Sequence, residues 1–371
     1  MKVITVTTYN VYNYGAVLQA YALQQYLKEH GFETELLNYQ PEYLTRKYNY
    51  RWINPESGMD KLFITRCLYR VMKWTQRQLT IKRKHAFDNF IHDKLLQTRL
   101  YTSKEEIYLA PPSANLYIVG SDQIWNTFYE TGRDSVFYLD FVKKAAKASY
   151  AASFSYLNIE ENIKPLIKKW LSDFKGISVR EYHGMQILEE LSLPGEWVLD
   201  PVFLLDNDKW KNLMKPFHKK EPFLLIYDFE GNQDLKVFAK KYAKKKNLKI
   251  YSINDTYPLF YADMNFSNEG PDGFLSLIYN CDAFVSNSFH GTAFSIIFSK
   301  PVYVFNRNRH MVNSRMESLM TLFDIKDCII QNECDYDKVI EKEWDFNRIS
   351  DIRRRALTKS LSYLNTVLNS I

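Results

Sequence analysis

The chain reads as an α/β protein of two doubly wound domains, and three observations predict this. Short strand-like apolar runs alternate with segments of helical length from the amino terminus onward. The alternation breaks at a polar, basic stretch over 206–222 that carries Pro216 and Pro222, and then restarts. At 371 residues the chain exceeds one average domain, and its 46% apolar content can fill two cores. The expected division is 1–215, 216–345, and a helical stretch over 346–371 that folds back across the first domain.

Taken in order, Lys2-Val-Ile-Thr-Val-Thr-Thr8 is a strand pattern, followed by the loop Asn10-Val-Tyr-Asn13-Tyr14-Gly15 and a helix over 17–30 that stops at Gly31. The amide side chains of that loop either hydrogen-bond sugar hydroxyls or serve only to turn the chain and cap the helix. A strand over 35–39 and a polar, aromatic loop over 41–60 lead to a basic helix over 62–79. There Arg66, Arg70, Lys73 and Arg77 stack in one stripe, with Ile64, Leu68, Val71, Met72 and Leu79 opposite. Lys82, Arg83 and Lys84 extend the positive region, and no acidic residue occurs over 61–84. This is either a solvated basic face or a surface for anionic lipid headgroups or a diphosphate-linked acceptor.

A strand over 115–119 ends in Gly120-Ser121-Asp122-Gln123-Ile124-Trp125-Asn126, where Asp122 is a candidate acid or base, or a cap. Further units follow: a strand over 148–154, a helix over 163–174 and a strand over 176–181 that ends in Arg180 and Glu181. Arg180 either grips a phosphate or carboxylate bidentately or pairs with Glu181 or Asp122. After a helix over 183–191 comes Trp197-Val-Leu-Asp200-Pro201.

The second half restarts with strands over 223–227 and 249–253 and helices over 233–246 and 273–280. The stretch over 280–305 then reads as strand, tight turn, helix and strand, with the turn at 288–291 and the helix at 292–299. Backbone N–H groups at such a helix start, with Ser288, His290 and Thr292 around them, form an anion site, and Gly291 lets a ligand approach the backbone. The plainer alternative is that His290 caps or packs. Beyond Phe305 lie Arg307, Arg309, His310 and Arg315, a basic cluster.

A net charge of +6 with acids and bases interspersed makes no case for nucleic acid, and no apolar run is long enough for a bilayer span. Cys67, Cys281, Cys328 and Cys334 lack metal-type spacing, and the amino terminus lacks a signal-peptide pattern. Reduced thiols in a cytoplasmic protein, with no disulfide and no structural zinc, are expected. The 27 Tyr and 24 Phe suit a ring-lined carbohydrate groove or simply fill the cores.

Five motifs, Asn13-Tyr14-Gly15-Ala-Val-Leu-Gln-Ala-Tyr-Ala-Leu, Gly120-Ser121-Asp122-Gln123-Ile124-Trp125-Asn126, Ser178-Val-Arg180-Glu181, Asp200-Pro201 and Ser288-Phe-His290-Gly291-Thr292, resemble in this order the polysaccharide pyruvyl transferase family. The resemblance implies a GT-B-like architecture, two Rossmann-like domains facing a central cleft with a final helix crossing back. It implies phosphoenolpyruvate as co-substrate without a further cofactor or metal, and a hexose of a surface glycan or its lipid-linked precursor as acceptor. The product is then a cyclic pyruvate ketal, and the basic helix suits work at the inner face of the membrane.

Positions matching Arg180 and His290 are associated in the family with donor binding. Some members carry a second arginine where this chain has Ser288, so donor anions here fall to Arg307, Arg309 or Arg315, together with Ser288, Gly291 and Thr292. On the acceptor side the expectation names Asn10, Asn13, Tyr14, Gly15, Trp125 and Asn126. His290, Asp122 and Glu181 are the candidate catalytic groups, with His290 on the phosphate and Asp122 as acid or base. Two alternatives stand beside this reading: a nucleotide-sugar glycosyltransferase on the same fold, and a non-catalytic glycan-binding scaffold.

Overall fold

A computed structural model describes the protein except for residues 47–51, 55–56, 255–257, 308–312 and 371, and without the side chains of 75–77 and 79. Arg309 and His310 therefore lie outside the described residues. The first sheet contains β1 (Lys2–Val6), β2 (Glu33–Leu36), β3 (Leu116–Val119) and β4 (Ala146–Ser149) in the order β2-β1-β3-β4, all parallel. It is extended by β5 (Ser178–Val179) and β6 (Glu196–Trp197): Ser149 N donates to Gly176 O (3.0 Å), Ala152 N donates to Ser178 O (3.1 Å), and β5 pairs with β6.

The second sheet contains β7 (Phe223–Tyr227), β8 (Lys249–Ser252), β9 (Met264–Asn265), β10 (Ala283–Ser286), β11 (Val302–Phe305) and β12 (Ile329–Ile330). Its order is β12-β11-β10-β7-β8-β9, again parallel. In both sheets the chain starts near the middle and reverses direction of travel, between β1 and β3 and between β7 and β10. Ligands of open α/β sheets bind beyond the carboxyl ends of strands at such reversals.

Both sheets are covered on both faces, so their strands are apolar almost throughout. Ile4, Val6, Tyr117 and Val119 enter one core, and Val3, Leu116 and Ile118 enter another. In the second sheet Leu224, Ile226, Ala283 and Val285 face one way and Phe223, Leu225 and Phe284 the other. This last face is not separate from the first half of the chain. Val17 and Leu18 of the helix Tyr14–Glu29 and Phe87 of the helix Phe63–Lys94 share a single apolar cluster with Phe274, Phe294 and Val304. The two halves thus meet over a common core, and the cleft between them is confined to the carboxyl ends of the strands.

The carboxyl-terminal helix Phe346–Leu368 returns to the first sheet, where Tyr363, Leu364, Val367 and Leu368 pack with Val3, Leu116 and Ala148. Tyr363 OH donates to Ser149 O (2.7 Å) and Leu199 N to Ser360 Oγ (2.9 Å). The basic helix is much longer than its sequence pattern suggests, since it continues from Phe63 to Lys94 and buries Phe87, Phe90 and Ile91.

Candidate active site

Parallel neighbours bring their carboxyl ends to one edge, and the first sheet uses this to gather charge. Asp122 follows β3, Arg180 and Glu181 follow β5, and Asp200 follows β6. Arg180 lies at the centre with its side chain fully buried. Its Nη1 donates to Asp200 Oδ2 at 2.8 Å and lies 3.4 Å from Ser121 Oγ, and Nη2 donates to Asp122 Oδ1 at 3.2 Å. The guanidinium stacks 4.4 Å above the Phe289 ring.

Asp200 holds this knot together. Its Oδ1 accepts from Val202 N (3.1 Å), while Oδ2 accepts from Ser121 Oγ (2.9 Å) and from Arg180, and lies 3.4 Å from His290 Nε2. Burial pushes the Asp200 carboxyl up, but His290 and Arg180 outweigh burial and hold it well below the ordinary carboxylate range. Asp122 follows the same logic: burial raises it, and Arg180, His290 and Arg315 bring it below its ordinary value. Its backbone is strained, with φ of +77°, and is fixed by Ser153 N and Ile124 N donating to its carbonyl (3.1 and 2.7 Å).

Glu181 behaves oppositely. Burial raises it above the ordinary glutamate value despite Arg180 and the Ser155 N–H. Its Oε1 accepts from Phe154 N (2.9 Å) and Ser155 N (3.1 Å), and Oε2 stands 3.8 Å from Arg180 Nε. Glu181 is therefore a buried brace behind Arg180 and does not line the cavity.

His290 comes from the second sheet, through the helix Phe289–Ile297 that follows β10. Its ring lies directly against Gly15: a methyl group there would meet Nδ1 at 1.9 Å. Gly15 thus serves the histidine, not a sugar. The helix starts earlier than its sequence pattern predicts, because Ser288 caps it and Ser288 Oγ accepts from Gly291 N (3.2 Å). Gly291 faces downward, since a Cβ there would sit 2.7 Å from the Phe284 ring, so its lack of a side chain allows close packing, not ligand approach. Thr292 is fully buried and its Oγ1 donates to Ser288 O (3.0 Å), so it takes no part in an anion site.

Asp122, Ser288 and His290, but not Arg180, Glu181 or Asp200, border a cavity of about 480 Å³ at the strand reversals of both sheets. Asn13, Asp122, Gln123, Ser288, Phe289, His290, Arg307 and Arg315 line its inner part, and Tyr43, Arg46, Tyr129, Glu130 and Phe229 its outer part. Arg315 is almost fully buried. The Gln123 amide oxygen, oriented by its hydrogen bonds, accepts from Arg315 Nη1 and Nη2 (2.5 and 2.6 Å), and Asp122 Oδ1 is 3.9 Å from Nη1. Burial and the neighbouring Arg180 charge bring Arg315 down to about 10. Arg307 Nε donates to Glu230 (3.0 Å), and Arg46 pairs with Glu130 (2.9 Å).

Five of the six residues expected on the acceptor side do not line the cavity. Trp125 is a core residue whose Nε1 donates to Phe137 O (2.9 Å), and Asn126 is buried with Oδ1 accepting from Phe128 N (3.1 Å). Tyr14 stacks on Phe274 at 4.5 Å and donates to Glu269 O (2.9 Å), and Gly15 is occupied by His290. Asn10 is half-buried and does not line the cavity. Asn13 does line it, and also caps the next helix by accepting from Ala16 N (3.1 Å). Asp200, Gln123 and the outer Tyr43–Arg46–Tyr129–Glu130 group carry no assigned role in the sequence reading. Asp200 offered two signals: the Asp200-Pro201 motif itself, and its place at the end of a strand beside two others whose ends carry charge.

Two facing Rossmann-like units with a polar cavity at their strand ends define the GT-B class, and solved structures agree. The fold is similar to the spinosyn rhamnosyltransferase SpnG, with a TM-score of 0.51, 13% identity and 100% of each chain covered. It is also similar to MnaA of S. aureus, solved with UDP, with a TM-score of 0.54, 11% identity, and 98% of this chain and 97% of that one covered. At these identities the likeness concerns the fold alone. The chain belongs to the polysaccharide pyruvyl transferase family, whose model matches residues 13–309. Comparison with curated proteins gives no match. Among the described residues no helix is long and apolar enough to cross a membrane.

Proposed function

We propose that this transferase moves the pyruvyl group of phosphoenolpyruvate onto a hexose of a surface polysaccharide or its lipid-linked precursor, closing a cyclic ketal. The observation that carries the reading is Arg315: a buried cation on the cavity wall, beside Asp122, hydrogen-bonded to a neutral amide. Such a cation is under-neutralised, and a small, highly charged anion is its natural partner. Arg307, at the same wall, is the second candidate for the donor's phosphate or carboxylate.

A proton adds to the methylene carbon of the enol, leaving an oxocarbenium ion at C2. One sugar hydroxyl attacks C2 and loses its proton to a base, the bond from C2 to the phosphate oxygen breaks to leave a second oxocarbenium ion, and a second hydroxyl attacks C2 and gives its proton to the departing phosphate, closing the ring. Asp122, kept ionised by the cations around it, is suited to take the hydroxyl proton, and His290 to contact the phosphate and assist its departure. The outer rings of Tyr43 and Tyr129 are where the sugar would lie.

The test is calorimetric titration with phosphoenolpyruvate, with UDP-sugars as controls, followed by a search for acceptor glycans by mass change. Phosphoenolpyruvate binding that Asp122→Asn retains while turnover falls on the order of 10²-fold or more supports Asp122 as the proton-transfer group. Undiminished turnover in Asp122→Asn removes that role, and binding of a nucleotide sugar in place of phosphoenolpyruvate removes the proposed reaction.

A further inference from the structure

The helix Phe63–Lys94 has two unlike halves. The second half is anchored in the core through Phe87, Phe90 and Ile91. The first half leaves large apolar side chains in solvent: Ile64 is 79% exposed, Leu68 53%, Val71 58% and Trp74 57%. Ile64, Leu68 and Val71 share one helix face, and the exposed Arg66 and Arg70 lie with Lys73 on the opposite one. An apolar stripe of this size is not what water alone leaves on a protein surface.

We propose that this half-helix docks the protein on a lipid bilayer that carries anionic headgroups. An amphipathic helix with a cationic polar face lies in the interfacial plane, its apolar face among the acyl chains and its long cations reaching the phosphates. Charge favours lipid over a second copy of the chain. No Asp or Glu occurs over 61–84, so two such helices would set like charges against each other, whereas an anionic surface neutralises them. The anchored half ties this surface to the cavity: Arg83 Nη2 donates to Tyr12 O (2.9 Å) and Tyr12 OH to Asp88 (3.0 Å), next to Asn13 on the cavity wall. Membrane docking stands independently of the reaction assigned to the cavity.

The experiment is co-sedimentation of the full chain with vesicles of phosphatidylglycerol and phosphatidylcholine in equal parts, and with phosphatidylcholine alone. Binding to the anionic vesicles, weakened by salt, is expected. The triple variant Arg66→Gln/Arg70→Gln/Lys73→Gln is expected to lose on the order of a hundredfold in partitioning, the equivalent of ~1 kcal/mol per cation. Ile64→Ser/Leu68→Ser/Val71→Ser is expected to lose more than about tenfold. Absence of wild-type binding to anionic vesicles, or binding that both triple variants retain, overturns the proposal. So does a dimer in light scattering that the serine variant abolishes, because a second copy would then cover the face.

Discussion

The carboxyl edges of the two sheets meet at one cavity but are built differently. On the first sheet Arg180, Asp200 and Asp122 neutralise one another, and the Arg180 and Asp200 side chains are fully buried. On the second sheet the edge carries an uncharged serine cap and an imidazole, with Arg307 and Arg315 placed further along the chain at the cavity wall. The first edge is a fixed electrostatic frame whose charges are spent on each other. On the second, Arg307 pairs with Glu230, while Arg315 is held by the neutral Gln123 amide with Asp122 no closer than 3.9 Å, so Arg315 is the cation left least neutralised for whatever enters.

This contrast can be broken most forcefully at Asp200. Asp200→Ala leaves Arg180 buried without its closest partner and is expected to cost about 3–5 kcal/mol of stability and to abolish turnover. A variant that melts like the wild type and still turns over would show that the first edge is not a mutually dependent frame.

His290 bridges the two edges, so its loss should affect chemistry more than folding. His290→Ala is expected to lower kcat on the order of 10²- to 10⁴-fold with a nearly unchanged melting temperature. Gly15→Ala sharpens the point: its methyl group would meet His290 Nδ1 at 1.9 Å, so the ring must move and kcat must fall with the histidine still present. Normal activity in Gly15→Ala would mean that the ring's position does not matter.

On the second edge Arg315→Gln removes a cation that the fold does not fully neutralise. The expected result is a KM for phosphoenolpyruvate raised about 10- to 100-fold, as for loss of a charged hydrogen bond of roughly 1.5–3 kcal/mol, with no loss of stability. A destabilised protein with unchanged KM would move Arg315 into the frame with Arg180.

The smallest effect is in pH. Asp122 and Asp200 have folded-state values below their unfolded ones, so their contribution to stability is complete above the ordinary aspartate value of about 4. That contribution is lost as pH falls below it. Glu181, raised by burial, acts with the opposite sign and offsets part of the slope. Melting curves of the wild type and Asp200→Asn between neutral and strongly acidic pH should converge at the acid end, and parallel curves would deny the coupling.

Much of the fold was legible because short continuous apolar runs and helical spacing are local patterns. Strands such as Phe223–Tyr227 and helices such as Gln233–Lys246 fall where the apolar spacing puts them. Charged residues at strand ends were equally visible, and Asp122, Arg180 and His290 do converge. Misread residues share one cause: a polar or small residue in a motif looks like a ligand group until its neighbours are known. Trp125 and Asn126 follow Asp122 closely yet turn into the core, and Gly291 and Thr292 serve the packing and capping of their own helix.

The sequence by itself determined the alternation of elements, the parallel sheets that follow from it, and the strand ends at which charge accumulates, since all of these depend on near neighbours. Tertiary structure alone decided that Asp200 joins Arg180 to His290, that Gly15 makes room for that histidine, and that half of one helix keeps its apolar face in water. Those outcomes depend on which distant segments meet, and residues 15 and 290 come together only when two sheets fold over a shared core.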